Sequence, residues 1–179
     1  MDLQVETRYD ARLSEVRAAP GDVGRLELIV RRPATDEREL LDEGRLDPAV
    51  GLVGDRWATA SPDATPIYLS AQLTVINTRV LAAIEPDRTR WPLAGDQLFV
   101  DFDLSIENLP AGSRLAVGPA VVEISETPHT GCAKFGARFG SEALRWINSP
   151  VGRAHRMRGL NARVVEAGTV RLGDAVRKV

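Results

Sequence analysis

The sequence predicts a mainly β, α+β domain: a barrel-like sheet with a few inserted short helices. Short segments alternate between apolar and polar residues, and turn residues separate them about every 8–12 positions, as in barrels and sandwiches. The chain has 179 residues, 44% of them hydrophobic and 27% charged, which suffices to bury a core without disulfides or a structural metal. We expect a single domain over residues 21–179, preceded by a polar N-terminal extension over residues 1–20.

Seven segments carry the strand pattern, and turn glycines or prolines bound most of them. These segments are residues 25–30, 67–70, 97–104, 114–117, 120–124, 162–165 and 174–177. Apolar residues at helical spacing, or a capped start, predict helices instead. The predicted helices are residues 10–19, 35–41, 75–84, 133–139 and 142–147. Residues 166–173 are interpreted as a glycine-containing turn between the last two strands.

Charge is distributed unevenly along the chain, although the net charge is only −2. Residues 1–126 hold 13 basic and 22 acidic side chains, a net charge of −9, whereas residues 127–179 hold 10 and 3, a net charge of +7. The small total argues against broad nucleic-acid binding, which requires many neutralised phosphates. The basic C-terminal part either attracts a compact anionic ligand or pairs with the acidic part of the fold, and the sequence leaves both alternatives open.

The sequence also predicts the compartment. It contains no run of about 18 apolar residues, and its acidic N-terminus lacks the profile of a secretory signal. A single cysteine cannot form an internal disulfide, which agrees with a reducing cytosol. We therefore expect a cytoplasmic protein that binds neither membrane nor nucleic acid.

The only cysteine, Cys132, is the residue best suited to chemistry. A thiol acts as a nucleophile or metal ligand only as the thiolate, which a helix N-terminus and nearby cations favour. Cys132 precedes a predicted helix that contains Lys134 and Arg138. His129 lies three residues before it and is a candidate catalytic proton donor. A lone cysteine is more often a small buried apolar residue, and the residues alone leave that alternative open.

Several familiar sites are excluded by the sequence. No pair of cysteine or histidine residues has the spacing of a zinc site. The serine-hydrolase element G-x-S-x-G, the P-loop and the dinucleotide fingerprint are also missing from the sequence.

Four elements, in this order, resemble the MOSC domain, the module named for the C-terminal part of molybdenum-cofactor sulfurases. The first two are a G-L-x-G-D-R element at residues 51–56 and an E-N-L element at residues 107–109. The third is the strand at residues 121–124 followed by Thr127-Pro128 and Cys132. The fourth is an A-R-V…G…G-D pattern over residues 162–174. The resemblance spans about residues 24–179.

The resemblance implies a MOSC-type β-barrel and a cysteine that handles sulfur or ligates molybdenum in a pterin cofactor. It gives Cys132 that role, and it makes Arg56 and Asn108 candidate site-lining residues because they lie in matched motifs. A thiolate suits both a soft metal centre and a persulfide. The phosphate of the cofactor requires cationic donors. The candidates are Lys134, Arg138, Arg153 and Arg156.

Three functions follow from this resemblance. In the first, the protein binds molybdenum cofactor (molybdopterin) through Cys132 and is an oxidoreductase that reduces N-hydroxylated compounds with a separate reductase. In the second, it is a sulfur carrier or cofactor-delivery module that works with a sulfur-donor protein. In the third, it is a barrel that binds a partner, and Cys132 is inert. Pyridoxal phosphate is not expected, because Lys134 and Lys178, the only lysines, lack the setting of a Schiff base.

Overall fold

The structure, a computed structural model, describes residues 7–60 and 66–179 and contains a closed β-barrel with short helices around it. The barrel confirms the strand-rich α+β fold that the sequence predicts. Eleven strands lie in the described residues. They are β1 (Val23–Arg31), β2 (Glu39–Leu41), β3 (Glu43–Asp47), β4 (Gly51–Leu52), β5 (Leu73–Asn77), β6 (Leu98–Asp101), β7 (Arg114–Val117), β8 (Ala120–Ile124), β9 (Leu160–Glu166), β10 (Gly168–Arg171) and β11 (Ala175–Lys178).

The helices are all short. They are α1 (Leu13–Arg17), α2 (Trp57–Ala60), α3 (Pro66–Leu69), α4 (Thr78–Ile84), α5 (Ala133–Phe139), α6 (Ser141–Asn148) and α7 (Pro150–Ala154), with 3₁₀ turns at Asp10–Arg12 and Arg88–Ala94. Within the part of the chain that the structure describes, none of them has the length and apolar character needed to cross a membrane.

Seven strands close the barrel in the order β1, β11, β7, β8, β9, β5, β6 and back to β1. All neighbours in this ring are antiparallel except β5 and β6, which are parallel and are connected through α4. Strand β2 extends the sheet beside β1, and β3, β4 and β10 form a second, smaller sheet. Closure leaves the ring strands without unpaired edges.

Two apolar clusters form the core, one inside the barrel and one between the barrel and the helices. Successive side chains along a strand point to opposite faces and so belong to different clusters. In β6, Leu98 and Val100 belong to the cluster inside the barrel, whereas Phe99 between them belongs to the cluster under the helices. In β5, Val75 points inward and Ile76 outward in the same way. All of these side chains are fully buried, and each contributes about 1.5–3 kcal/mol relative to exposure.

Three segments differ from the predicted secondary structure. Residues 67–70 were expected to be a strand, but they belong to α3, where Pro66 occupies the first helical position. Residues 35–41 were expected to be a helix, but Asp36 has φ of 61°, which ends helical geometry, and the following residues pair with β1 as β2. Residues 166–173 contain β10 rather than only a turn.

The predicted helix at residues 75–84 divides into strand β5 and helix α4. Asn77 has extended backbone, and its side chain accepts a hydrogen bond from the Arg79 N–H, so it caps α4 and ends the strand. The remaining predicted strands and helices recur with shifts at their ends.

The N-terminal extension packs against the domain from Thr7 onward, and residues 1–6 lie outside the described residues. Tyr9, Val16 and Ala19 are buried, and the ring of Tyr9 lies 5.5 Å from that of Trp146 in α6. These contacts place the extension on the helical side of the barrel.

Gly24 lies where β1 contacts both β11 and β6. It pairs with Val176, and a Cβ atom at this position would overlap the backbone carbonyl oxygen of Asp101. We expect Gly24→Ala to lower the free energy of unfolding by about 1–3 kcal/mol, because the backbone must move to relieve the overlap. Urea unfolding measures this. Gly21→Ala is the control, because its Cβ would meet the Asn108 side chain at an ordinary 3.4 Å. Equal stability of the two variants would contradict the expectation.

Candidate functional site

Cys132 is exposed and occupies the N-cap position of α5, with extended backbone at φ −116° and ψ 175°. The pKa of its thiol is lowered, first by the backbone N–H of Phe135 and also by the N–H of Lys134 and the charge of Arg158, while partial burial opposes the shift. No capping hydrogen bond of ordinary geometry reaches Sγ from the described residues, so these amides act mainly through their dipoles. The arrangement favours the thiolate.

The loop that carries Cys132 is fixed by Asn148 at the end of α6. Its side-chain Oδ1 accepts a hydrogen bond from the Gly131 N–H at 2.9 Å, and its Nδ2 donates to the Gly131 carbonyl at 3.0 Å. A Cβ atom on Gly131 would lie 2.7 Å from both Ile147 and Leu144. A larger residue at this position would therefore require the ends of these two side chains to move.

Cys132 opens into a cavity of about 140 Å³, which we call the cysteine cavity. Six cationic side chains line it and come from four separate parts of the chain. They are Arg32, Arg38, Arg56, Lys134, Arg138 and Arg158. Asp36 is the one acidic residue among the lining residues that the structure describes.

The G-D-R element builds one wall of this cavity. The Asp55 side chain is fully buried and binds the guanidinium of Arg32 through two contacts of 2.8 and 2.9 Å. Asp55 also accepts the backbone N–H of Arg32 and of Trp57. Burial alone would raise the pKa of Asp55, but the hydrogen bonds and the charge of Arg32, with these amides, lower it overall. The next residue, Arg56, lines the cavity.

Arg158 forms the opposite wall and is only 7% exposed. Its Nη1 lies 2.7 Å from the fully buried carboxylate of Asp96, and its Nη2 donates to the Ala94 carbonyl at 2.8 Å. The guanidinium carbon lies 5.2 Å from the centre of the Phe135 ring, in the first turn of α5. This is a cation–π contact, and it joins Arg158 to the helix that Cys132 caps.

Three cations of the cysteine cavity remain without an acidic partner among the described residues. Arg32 pairs with Asp55, Arg158 with Asp96, and Arg138 with Asp36 at 3.5 Å. The unpaired ones are Arg38, Arg56 and Lys134. The pKa of Arg38 is lowered by burial and then by the charges of Arg138 and Arg32, which shows that the cations repel one another.

A second cavity of about 310 Å³ lies on the other side of Arg158, which lines both cavities. Arg153 and Arg156 also line it, so we call it the arginine cavity. His129 faces it with a side chain that is 18% exposed, and burial lowers the pKa of His129 to about 4, assisted by the charge of Arg158. His129 is therefore neutral at pH 7.

The model of the MOSC domain family matches residues 54–177, which is more than half of the chain. The chain belongs to the MOSC domain family. The match confirms the resemblance drawn from the sequence motifs. It includes Cys132 and residues 54–56 of the G-L-x-G-D-R element. No curated protein matches the sequence.

Solved structures of similar fold agree with the family assignment. The YuaD protein from Bacillus subtilis has a TM-score of 0.64 at 17% identity, over 86% of this chain and 94% of that chain. YiiM from Escherichia coli has a TM-score of 0.56 at 19% identity, over 87% and 69%. YiiM from Geobacillus stearothermophilus has a TM-score of 0.55 at 12% identity, over 87% and 73%. At these identities the likeness shows a shared fold.

The structure divides the predicted site residues of this MOSC domain into three groups. Cys132, Arg56, Lys134 and Arg138 meet in the cysteine cavity. His129, Arg153 and Arg156 lie in the arginine cavity instead. Asn108 lines neither cavity, because its side chain bonds the carbonyls of Gly21 and Asp103 and the Lys178 ammonium.

Four polar residues of the site were not predicted: Arg32, Arg38, Asp96 and Arg158. The apolar run of β1 ends in Arg31-Arg32, and an arginine directly after a buried strand was the one signal for Arg32. The basic C-terminal part of the chain pairs in part with the acidic part, which was one of the two alternatives. Arg158, Arg163 and Arg171 form ion pairs with acidic residues from the first 126 positions.

Replacement of Asp55 by asparagine tests the wall of the cysteine cavity. We expect Asp55→Asn to lower the free energy of unfolding by about 3 kcal/mol at neutral pH, because it removes the partner of a largely buried arginine. The folded-state pKa of Asp55 is lowered, so its contribution is complete above the unfolded pKa of about 3.9 and is lost as the pH falls through the folded value. The difference between wild type and variant should therefore shrink below about pH 4.

Urea unfolding between neutral pH and about pH 3 measures this difference. Asp22→Asn is the control, because Asp22 is exposed and should have an effect within about 0.5 kcal/mol. A constant difference between wild type and Asp55→Asn at every pH would show that the carboxylate does not stabilise this wall.

Proposed function

We propose that this MOSC domain protein binds molybdenum cofactor, with the Cys132 thiolate as the protein ligand of molybdenum. The observation that supports this proposal best is an exposed thiol of lowered pKa that opens into a cavity with three unpaired cations. Molybdenum cofactor combines a soft metal centre with an anionic phosphate, and the cavity offers a partner for each.

The donor set fits a cofactor better than a bare metal ion. In residues 7–60 and 66–179, no group of three or more His, Cys, Asp or Glu side chains is arranged to hold a metal. Cys132 would therefore supply a single ligand, and the cofactor itself would supply the others. A thiolate is a preferred ligand for soft metals, which agrees with this assignment.

The cations of the cysteine cavity would bind the phosphate. Arg38 and Arg56 present guanidinium groups, which suit phosphate oxygens through paired hydrogen bonds, and Lys134 adds a mobile ammonium. Arg158 is held by Asp96 and Ala94, so it would keep its position when the cofactor binds. The cavity thereby combines an arginine held by an acidic partner with three cations that have no acidic partner among the described residues.

The bound cofactor supplies two-electron redox chemistry, and reduction of an N-hydroxylated compound is a reaction of that class. Two electrons and two protons convert the N–OH group to N–H and release water. The chain has one cysteine and so cannot hold a four-cysteine iron–sulfur cluster of its own. The electrons would come from a separate reductase protein.

A sulfur carrier is the second candidate, and the exposure of Cys132 favours it specifically. Sγ lies at the surface, within reach of a donor protein, and a thiolate of lowered pKa attacks a donor persulfide readily. In that case Cys132 would bond to the outer sulfur of the donor persulfide, the S–S bond of the donor would break, and the donor cysteine would leave as a thiolate. The cations would assist recognition of the acceptor.

Elemental analysis of protein produced in a host that makes molybdenum cofactor tests the proposal. We expect near-stoichiometric molybdenum in the wild type and none in Cys132→Ala. Lys134→Gln should retain less, because it removes an unpaired cation of the cavity. Lys178→Gln is a matched control, because the other lysine lines neither cavity and should leave the content unchanged.

Folded wild-type protein without molybdenum would refute cofactor binding. Intact mass spectrometry of the same sample then distinguishes the second candidate, because a sulfur carrier incubated with a sulfur donor gains one sulfur atom on Cys132. If the protein contains no molybdenum and also gains no sulfur atom, the alternative in which Cys132 is inert remains.

A further inference from the structure

The arginine cavity is built like a ligand site, and the proposed function gives it no occupant. Its volume of about 310 Å³ lies near the small end of ligand pockets, which range over about 300–1,000 Å³. The loop at residues 125–130 forms one side of it, and the ends of α6 and α7 form another. It is larger than the cysteine cavity, from which Arg158 separates it.

Apolar side chains form much of its wall. Ile147 and Leu160 are buried beside it, and Pro128 and Ile106 stand at its rim. Ile106 is 52% exposed, so its side chain is accessible to a ligand in the cavity. These walls would stabilise the apolar body of a small molecule.

Three arginines give the cavity a positive end, against one acidic lining residue, Glu126. Arg156 is fixed in place, because its Nη1 donates to the carbonyls of Leu104 at 3.2 Å and Leu109 at 2.6 Å. It has no carboxylate partner among the described residues. Its backbone has φ of 44°, a strained value for arginine, so the fold holds this cation at a cost.

Two buried polar atoms of the lining residues lack a hydrogen-bond partner in the part of the chain that the structure describes. They are Nε of Arg158 and Nδ1 of His129. The nearest carboxylate oxygen to His129 Nδ1 is Asp96 Oδ1 at 3.6 Å, beyond hydrogen-bond distance. Unpaired buried polar atoms are rare in proteins and indicate a water or ligand that completes them.

We propose that the arginine cavity binds a small organic carboxylate with an apolar body. The arginines would bind the carboxylate, and the aliphatic wall would hold the body. A planar carboxylate matches the guanidinium fork, and the apolar wall disfavours a compact ion such as inorganic phosphate. The role of this ligand as the substrate of the neighbouring cofactor rests on the proposed function, whereas its binding does not.

Proton NMR of the two histidines tests the proposal with benzoate as the probe, in protein free of molybdenum. The chain has only His129 and His155, so their ring signals are assigned by comparison with His129→Gln. We expect the His129 signals to shift and to saturate, with half-saturation at about 1 mM. The His155 signals should stay constant, because His155 does not line the cavity.

Variants test the positive charge of the arginine cavity and its free volume separately. Arg153 is exposed at the end of α7, so Arg153→Gln should fold normally and weaken benzoate binding about two- to fivefold. Arg145→Gln is the matched control, an exposed arginine of α6 that lines neither cavity. Ala111→Trp at the exposed rim should block the cavity and abolish the shift.

Three results would overturn the proposal. We expect no saturable shift with benzamide, the neutral analogue; equal shifts with benzamide would show that charge plays no part. Equal shifts with inorganic phosphate would show that the apolar wall plays no part. No saturable shift of His129 with benzoate would show that the cavity is not a carboxylate site. Wild-type protein that binds benzoate, but that contains no molybdenum when it is produced in a host that makes the cofactor, would refute the proposed function alone.

Discussion

The buried ion pair between Arg158 and Asp96 is the interaction on which both cavities depend. The carboxylate is fully buried, and the guanidinium joins it to the Ala94 carbonyl and to the face of Phe135. Removing one partner of such a pair leaves an uncompensated buried charge, which costs about 3–5 kcal/mol. Arg158 is therefore held rigidly, and the two cavities keep a common wall.

This wall also fixes the position of a positive charge near the thiol relative to the barrel. Asp96 lies two residues before the first residue of β6, and Arg158 lies two residues before that of β9, so two barrel strands fix the charge beside α5. Asn148 fixes Gly131 on the other side of Cys132. The thiol thus sits between a clamped loop and a fixed cation, at a helix end whose amides favour the thiolate. Little reorganisation would be needed when an anionic partner binds.

Residue alternation and turn chemistry were sufficient to predict most of the barrel, because strands such as β8 bury every second residue inside it. Short segments were predicted less well. Residues 67–70 and 35–41 are too short for periodicity to distinguish helix from strand, and local geometry at Pro66 and Asp36 decided them. The division at Asn77 depends on a side-chain cap within an apolar run.

The site was predictable only where its residues lie close to a motif. Cys132, Lys134 and Arg138 share one segment, and Arg56 belongs to the G-D-R element. Asp96 and Arg158 are separated by 62 positions, and a single sequence contains no signal that pairs them. Arg153 and Arg156 were expected at the same site as Cys132 because they are basic and nearby in sequence, but Arg158 stands between them and the thiol.

The most direct measurement is the pH titration of the thiolate ultraviolet absorbance of metal-free protein, which reports Cys132 alone because the chain has one cysteine. We expect a midpoint below the value of about 8.5 for free cysteine, and a higher midpoint in the paired variant Asp96→Asn with Arg158→Gln, which removes both buried charges. A wild-type midpoint at or above that of free cysteine would contradict this expectation.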